Sequence, residues 1–485
     1  MSTLELPELA LVVLVGVTGS GRPGFARRHF ASAQVLSSET SPPQPPPSAA
    51  SPSSPPPATM GSAQPTGSAA PSAASRSSAS PPSAATGSAQ PMGSAAPSAA
   101  LPSAATLSTP SSVSTPPPAT VSSASGGGLE PLRRAAAQRL AAGRLTVVDA
   151  ANVRASDRET LISLAREHDV PAVAIVIDTP EAVCREQARR HPGSDAELLE
   201  REQRELRRSL GKLAREGFYQ VHILRGSEDV TIRYRKPRND RRDLSGPFDI
   251  VGDVHGCREE LELLLTELGW RSTSDGWSHP AGRTAVFVGD LVDRGPDTPG
   301  VLRLVMGLIE RGRALCVAGN HEAKLLRYLQ GRKVRVGYGL AETIAQLERD
   351  PVPGLESFLD GLISHYVLDG GELVVAHAGL KERYHGRVSG RVRSFALYGD
   401  TTGETDEYGL PVRYPWANDY RGTAMVVYGH TPAATATWVN NTICLDTGAV
   451  FGGALTALRY PERELVSVPA LREYYAPTRP LIDRG

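Results

Sequence analysis

Apolar positions along the chain fall into short continuous runs separated by stretches with a helical period, and this alternation occurs in two blocks. In the first block the runs lie at 9–15 (LALVVLV), 145–150 (LTVVDA), 172–178 (AVAIVID) and 219–224 (YQVHIL). Runs this short and this apolar predict strands buried on both faces. Charged amphipathic stretches between them predict helices, the longest being DAELLEREQRELRRSLGKLAREGF at 195–218. Strands alternating with helices predict a mostly parallel sheet covered on both faces over 1–36 and 129–240. A second alternation starts at 248, with strands expected at FDIVGD, TAVFVGD, ALCVAGN, ELVVAH, AMVVYGH and NTICLDTG, and helices at 258–269, 298–312 and 321–329.

Composition interrupts the first block. Residues 41–128 are almost entirely Ser, Ala, Pro, Gly and Thr, with Arg76 as the one charged residue. A near-duplication, GSAQPTGSAAPSAA at 61–74 and GSAQPMGSAAPSAA at 87–100, lies inside the tract. Such a segment has too little apolar surface to offset an ordering cost of roughly 1–2 kcal/mol per residue, and 37–128 is read as a disordered insertion. The expected organisation is therefore a first domain over 1–240, a basic linker at 233–247 (RYRKPRNDRRDLSGP), a second domain over 248–470 and a tail at 471–485. The linker is read as solvated; contact with an RNA backbone is the alternative.

Charge and cysteine usage narrow the class. Lys plus Arg and Asp plus Glu both number 52, so any contact with nucleic acid has to come from local patches. Cys184, Cys257, Cys316 and Cys444 form no C-x-x-C pair, which supports neither a zinc cage nor a disulfide framework and fits a reducing cytoplasm. The run LALVVLVGV is preceded by acidic MSTLELPE instead of a basic flank, so a buried strand is expected there in place of a signal peptide. A soluble cytoplasmic protein, without membrane association, is the expectation.

Two kinds of motif sit at the ends of these strands. The first strand runs into VGVTGSGRPGF (15–25), close to the G-x-x-x-x-G-K-[ST] loop that wraps nucleotide phosphates. Gly16, Gly19 and Gly21 keep the loop pattern, but Arg22 stands at the Lys position and Pro23 at the hydroxyl position. Arg keeps the charge in a bulkier shape, and Pro23 offers neither a hydroxyl for Mg2+ nor an N–H for the phosphate cradle. In the second block the strand ends carry GDVHG (252–256), GDLVDRG (289–295), GNHE (319–322), AHAG (376–379) and GHT (429–431). The C-terminal edge of an open α/β sheet is where ligands bind, and mixed carboxylate, imidazole and carboxamide ligands suit divalent first-row metals. Two such ions can clamp the oxygens of a phosphoryl displacement.

These motifs together resemble the calcineurin-like binuclear metallophosphoesterases. More closely, residues 130–470 resemble bacterial polynucleotide kinase-phosphatases, enzymes that heal RNA ends, through stretches such as NDRRDLSGPFDIVGDVHGC, FVGDLVDRGPDTPGVLRLV and SFALYGDTTGETDEYGLPVRYPW. The resemblance implies a P-loop NTPase-like parallel-sheet domain followed by a calcineurin-like metallophosphoesterase α/β sandwich. It also implies a C-terminal ligase domain, which is expected to be absent because the chain stops at Gly485. By the same resemblance Asp253 and His255 hold one metal, Asp290 bridges, and Asn320, His377 and His430 hold the other. His321 is the implied general acid, Asp293 its orienting partner, Arg294 the phosphate clamp and Asp446 a further active-site position. The implied cofactors are two divalent ions, Mn2+ foremost, with only a weakened ATP–Mg2+ site at the phosphate loop.

Glu39 stands where the family has an Asp serving the kinase acceptor, and the acceptor-binding segment is replaced by the Ser/Ala/Pro tract. The expected function is thus a metal-dependent phosphatase removing 2′- or 3′-phosphate, or opening 2′,3′-cyclic phosphate, at RNA ends, fused to an impaired 5′-hydroxyl kinase domain. RNA ends are the expected partner, with a repair methyltransferase or ligase supplied in trans. Two alternatives share the motifs: a protein Ser/Thr phosphatase or diadenosine tetraphosphatase, and a pseudoenzyme acting as a nucleotide-binding docking module. Cys257 lies beside the site in sequence and is read as a packing residue.

Overall fold

The computed structural model describes residues 2–38, 129–190, 195–226, 230–337 and 339–481. Nearly all of the Ser/Ala/Pro insertion, and Glu39 with it, lies outside the described residues.

The N-terminal half is built on a five-stranded parallel sheet in the order Val35–Ser37, Thr146–Asp149, Leu11–Val15, Ala172–Ile177, Gln220–Leu224. Leu11–Val15 is the middle strand, and its two faces feed two different cores. Leu11, Val13 and Val15 pack with the apolar sides of the helices Glu130–Ala141 and Ala155–Glu167. Val12 and Leu14 pack with Phe25, Ala26 and Phe30 from the helix Arg22–His29 and the residue after it. Burial on both sides accounts for the absence of polar alternation in that strand. Ser2–Pro7, expected only as an acidic flank, is itself a strand paired in parallel with Val230–Arg235. Its Leu4 and Leu6 point inward while Glu5 stays exposed, a two-residue alternation that the charge pattern hid.

The second half is a sandwich of two sheets. One orders Ala314–Cys316, Thr284–Phe287, Phe248–Val251, Ala454–Tyr460 and Glu464–Pro469; the first three strands are parallel. The other orders Trp438–Val439, Thr442–Cys444, Met425–Tyr428, Leu373–Ala376, His365–Leu368 and Asp240–Arg241. Phe248, Ile250, Val286 and Val288 of the first interdigitate with Leu373, Val375, Val427 and Ile443 of the second. Helices Arg258–Glu267 and Thr298–Glu310 cover the outer face of the first sheet, and Gly390–Tyr398 covers the second. This is the α/β architecture expected, a parallel sheet with a glycine-rich loop after its middle strand, followed by a two-sheet sandwich flanked by helices.

The two halves meet through polar contacts. Arg387 donates to the carbonyls of His168 (2.6 Å) and Leu140 (3.0 Å), and Arg391 pairs with Asp169 at 2.7 Å. Within the basic stretch 233–247, residues 233–235 belong to the first strand pair and Asp240–Arg241 extends the second sheet. Among the described residues no helix is long and apolar enough to cross a membrane.

Candidate metal centre

Each strand-end motif starts within three residues of the end of its strand. The turns there bring side chains from six loops to one edge of the sandwich. Backbone strain accompanies this: among the described residues, five of the ten non-glycine positions with positive φ are His255, Asp290, Asp293, Arg294 and His430. Two glycines are needed for close approach. A Cβ at Gly429 would stand 1.8 Å from Asp253 Oδ1, and one at Gly319 would stand 2.2 Å from Asp290 Oδ1.

Asp290 sits at the middle of the cluster. Its Oδ2 lies 3.4 Å from His377 Nε2, 3.6 Å from His255 Nε2 and 3.9 Å from His321 Nε2. His377 Nε2 in turn lies 2.9 Å from Asn320 Oδ1 and 3.0 Å from His430 Nδ1. Asp253 joins through Oδ2, which accepts the His430 backbone N–H at 3.0 Å. Donor atoms of His255, Asp290 and His321 form one group within 4.8 Å, and those of Asp290, His377 and His430 form another, with Asp290 common to both. The sequence-derived residues Asp253, His255, Asp290, Asn320, His321, His377 and His430 are thus gathered at one place.

The chemistry of the donors fits cations. His255 Nδ1 donates to the Val292 carbonyl at 2.8 Å and His377 Nδ1 to the Val288 carbonyl at 3.0 Å, which leaves the Nε2 lone pairs facing the cluster. Asp253 Oδ1 and His430 Nε2 are buried without a hydrogen-bond partner, a costly arrangement unless another ligand satisfies them. Burial holds His255 and His430 well below the usual imidazole range, which keeps them neutral and able to coordinate. Burial, then the carboxylates of Asp446 and Asp290, push Asp253 well above its ordinary value. Asp290 is also buried, but His377, His321 and His255 around it bring it well below. Asp446, at the end of strand Thr442–Cys444, is pushed up to about 6 by burial. Burial would lower His377 as well, but Asp290 beside it raises it; the crowded carboxylates of Asp253 and Asp446 beside neutral His255 and His430 are what a divalent cation would offset.

Beside the cluster, His321 Nδ1 lies 2.6 Å from Asp293 Oδ2, so the carboxylate orients the ring. Arg294 donates to His255 Nε2 at 2.7 Å and to His321 Nε2 at 3.1 Å, with its guanidinium 5.2 Å from the Phe451 ring. Burial pushes the Cys257 thiol far up, in keeping with a packing role.

The motif GNHE gives its last residue, Glu322, no role on sequence grounds. It is 1% exposed and accepts backbone N–H groups from Asp290 (2.8 Å), Leu291 (2.7 Å), Val292 (3.3 Å) and Gly319 (2.9 Å). One carboxylate therefore ties the Asp290 turn to the Asn320 turn. Its fixed place two residues after Asn320 was the available signal.

The phosphate loop folds as the sequence suggests but is filled differently. Gly19 and Gly21 have φ of 76° and 85° and Gly16 lies at the strand end. Arg22, expected to point toward phosphates, is 2% exposed and turned inward: Nε lies 2.6 Å from Asp149 Oδ1 and an Nη 2.7 Å from the Gly16 carbonyl. Glu39 falls outside the described residues.

Two stretches of the chain match known families. A family model described as an AAA domain matches residues 117–214, and one described as calcineurin-like phosphoesterase matches 246–434. Among curated proteins, the asymmetrical bis(5′-nucleosyl)-tetraphosphatase PrpE of Anoxybacillus flavithermus is 46% identical over 236 residues, spanning 47% of this chain and 96% of that protein. Its counterparts in Geobacillus thermodenitrificans (47% over 230 residues, 46% of this chain and 94% of that protein) and Halalkalibacterium halodurans (45% over 230 residues, the same shares) are similar. These curated relatives match the second half alone and are named as tetraphosphatases, so they do not carry the narrower likeness to polynucleotide kinase-phosphatases. With a relative of this identity covered almost end to end, the chain belongs to the calcineurin-like phosphoesterases.

Proposed function

We propose that the second half is a binuclear metal-dependent hydrolase whose substrate is a bis(5′-nucleosyl) tetraphosphate, cleaved asymmetrically. The observation that carries this reading is the 46–47% identity to tetraphosphatases over 94–96% of their length. Asp253, His255 and Asp290 would hold one divalent ion, and Asp290, Asn320, His377 and His430 the other. Bound there, such ions supply hydroxide at neutral pH and neutralise developing charge on the phosphoryl oxygens. Arg294 binds phosphoryl oxygens through its planar fork. His321, held by Asp293, delivers a proton to the leaving phosphate oxygen. Mn2+ is the ion to test first, since the donor set mixes nitrogen with oxygen.

Removal of 2′- or 3′-phosphate from RNA ends is the second reading. Its support is the P-loop-like domain fused ahead of the hydrolase in the same chain. A manganese-supported assay on diadenosine tetraphosphate, 2′-AMP, a 3′-phosphorylated RNA and a phosphoserine peptide separates the readings. Fastest turnover of the tetraphosphate is expected. An RNA end or 2′-AMP turned over more than about tenfold faster moves the assignment to RNA ends, and hydrolysis of the peptide alone overturns both.

A further inference from the structure

The phosphate loop of the N-terminal half is the one motif that the hydrolase leaves unused. Its surroundings are occupied by the chain's own charges. The Thr18 backbone N–H, which in a nucleotide-binding loop would face a phosphate, donates to Glu202 Oε2 at 2.7 Å. Glu202 comes from the helix Ala196–Leu210, 184 residues away, and is 9% exposed. Arg22 pairs with Asp149 inside the protein, both side chains 2% exposed. The second Asp149 oxygen accepts from Ser37 Oγ at 3.2 Å. Asp149 ends the strand beside Leu11–Val15, where a P-loop nucleotidase keeps the carboxylate that serves Mg2+.

The loop is also clasped from the side. Thr179 Oγ1 donates to the Ser20 carbonyl at 2.7 Å, and a Cβ at Gly19 would stand 2.3 Å from the Cys184 carbonyl oxygen. A triphosphate entering here would meet a carboxylate in place of an open N–H. Arg22, the cation within the loop motif, would be committed to a buried pair, and position 23 offers Mg2+ no hydroxyl.

We infer that this loop is liganded from within. Glu202 takes the place of a phosphate at Thr18, and Arg22, turned to Asp149 and the Gly16 carbonyl, takes the place of the lysine and metal. The loop therefore works as a clasp that binds the 196–210 helix to the sheet and excludes nucleotide. This does not depend on which phosphate ester the second half hydrolyses.

Three measurements on the full chain test it, with phosphate release by the second half as the check that each variant is folded. In hydrogen exchange, the Thr18 amide should be protected, and Glu202→Ala should speed its exchange at least about tenfold. Equal exchange in both proteins would overturn the clasp. About 5 mM MgATP should leave the wild-type melting temperature within about 1 °C, because a ligand stabilises only in proportion to its occupancy of the folded state. A larger rise, or binding of a fluorescent ATP analogue below about 100 μM (roughly 5.5 kcal/mol), would overturn the exclusion. Finally, the triple variant R22K/P23S/E202A should bind that analogue at least about tenfold more tightly than wild type. If restoring lysine and hydroxyl and removing the carboxylate changes nothing, Glu202 and Arg22 are not what closes the loop.

Discussion

Asp290 and Glu322 show how much of the centre rests on single carboxylates. Asp290 is the only side chain shared by both donor groups, so Asp290→Asn, which removes the charge and keeps the shape, should lower turnover at least about a hundredfold while leaving the melting temperature nearly unchanged. Steady-state kinetics beside a thermal melt checks this. Glu322 accepts from four backbone N–H groups and so holds the turn that aims Asp290. Glu322→Gln presents an NH2 to N–H groups that now share two carboxylate oxygens. Loss of charged hydrogen bonds predicts roughly 1–3 kcal/mol of destabilisation, and displacement of the ligand behind it a 10- to 100-fold fall in kcat with little change in KM. A KM effect larger than the kcat effect would remove the positioning role.

At the scale of elements, glycines decide which loops can approach one another. Gly379 follows His377 by two residues, has φ of 87°, and a Cβ there would stand 1.9 Å from the Trp416 ring. Trp416 belongs to the segment SFALYGDTTGETDEYGLPVRYPW, so this contact joins that segment to the loop of a candidate ligand. Gly379→Ala should cost more than about 2 kcal/mol, from strain at positive φ plus overpacking, and should slow turnover because the His377 loop moves. Gly361 is the control: it lies at the end of helix Leu355–Gly361 with nothing within 4 Å of a built Cβ. There the same substitution should be neutral or stabilise by about 0.5–1 kcal/mol. Equal melting temperatures for the two variants would mean that the Trp416 contact is not tight.

At the scale of the molecule, buried histidines near the junction of the halves set an acid limit. His365 lies 2.7 Å from Asn239 Nδ2 and 3.2 Å from the Gly386 N–H. Burial lowers it to about 3 and lowers His385 to about 4. Both are largely neutral in the folded chain between pH 6 and about 5, and His365 stays so to about 4, whereas the unfolded chain takes up their protons below about 6.5. The unfolded state then binds more protons, so stability is full above that pH and falls as pH drops, by up to about 1.4 kcal/mol per pH unit for each histidine. Melting temperature measured from pH 7 to 4 should therefore fall less steeply in His365→Gln than in wild type. Parallel curves would show that His365 does not carry the acid sensitivity.

The sandwich and the gathering of candidate metal ligands were legible in the chain because their signal is local. A strand buried on both faces has to be a continuous apolar run, and a ligand at its end follows within two to four residues, so GDVHG, GDLVDRG and GNHE carry position and chemistry together. The presence of a degraded phosphate loop was legible for the same reason, since the missing lysine and hydroxyl are read from two adjacent letters. What the letters could not hold was the state of partners far apart along the chain. Arg22 is the same residue whether it reaches outward to phosphate or inward to Asp149, 127 residues away, and the buried environment selects the inward arrangement. Glu202 reads as one more charge on a solvated helix until packing brings it to Thr18, and Glu322 as the last letter of a motif until two turns close around it. Hydrophobic periodicity reports which side of an element is buried, whereas the pairing of buried charges depends on distances that exist only after the chain has closed on itself.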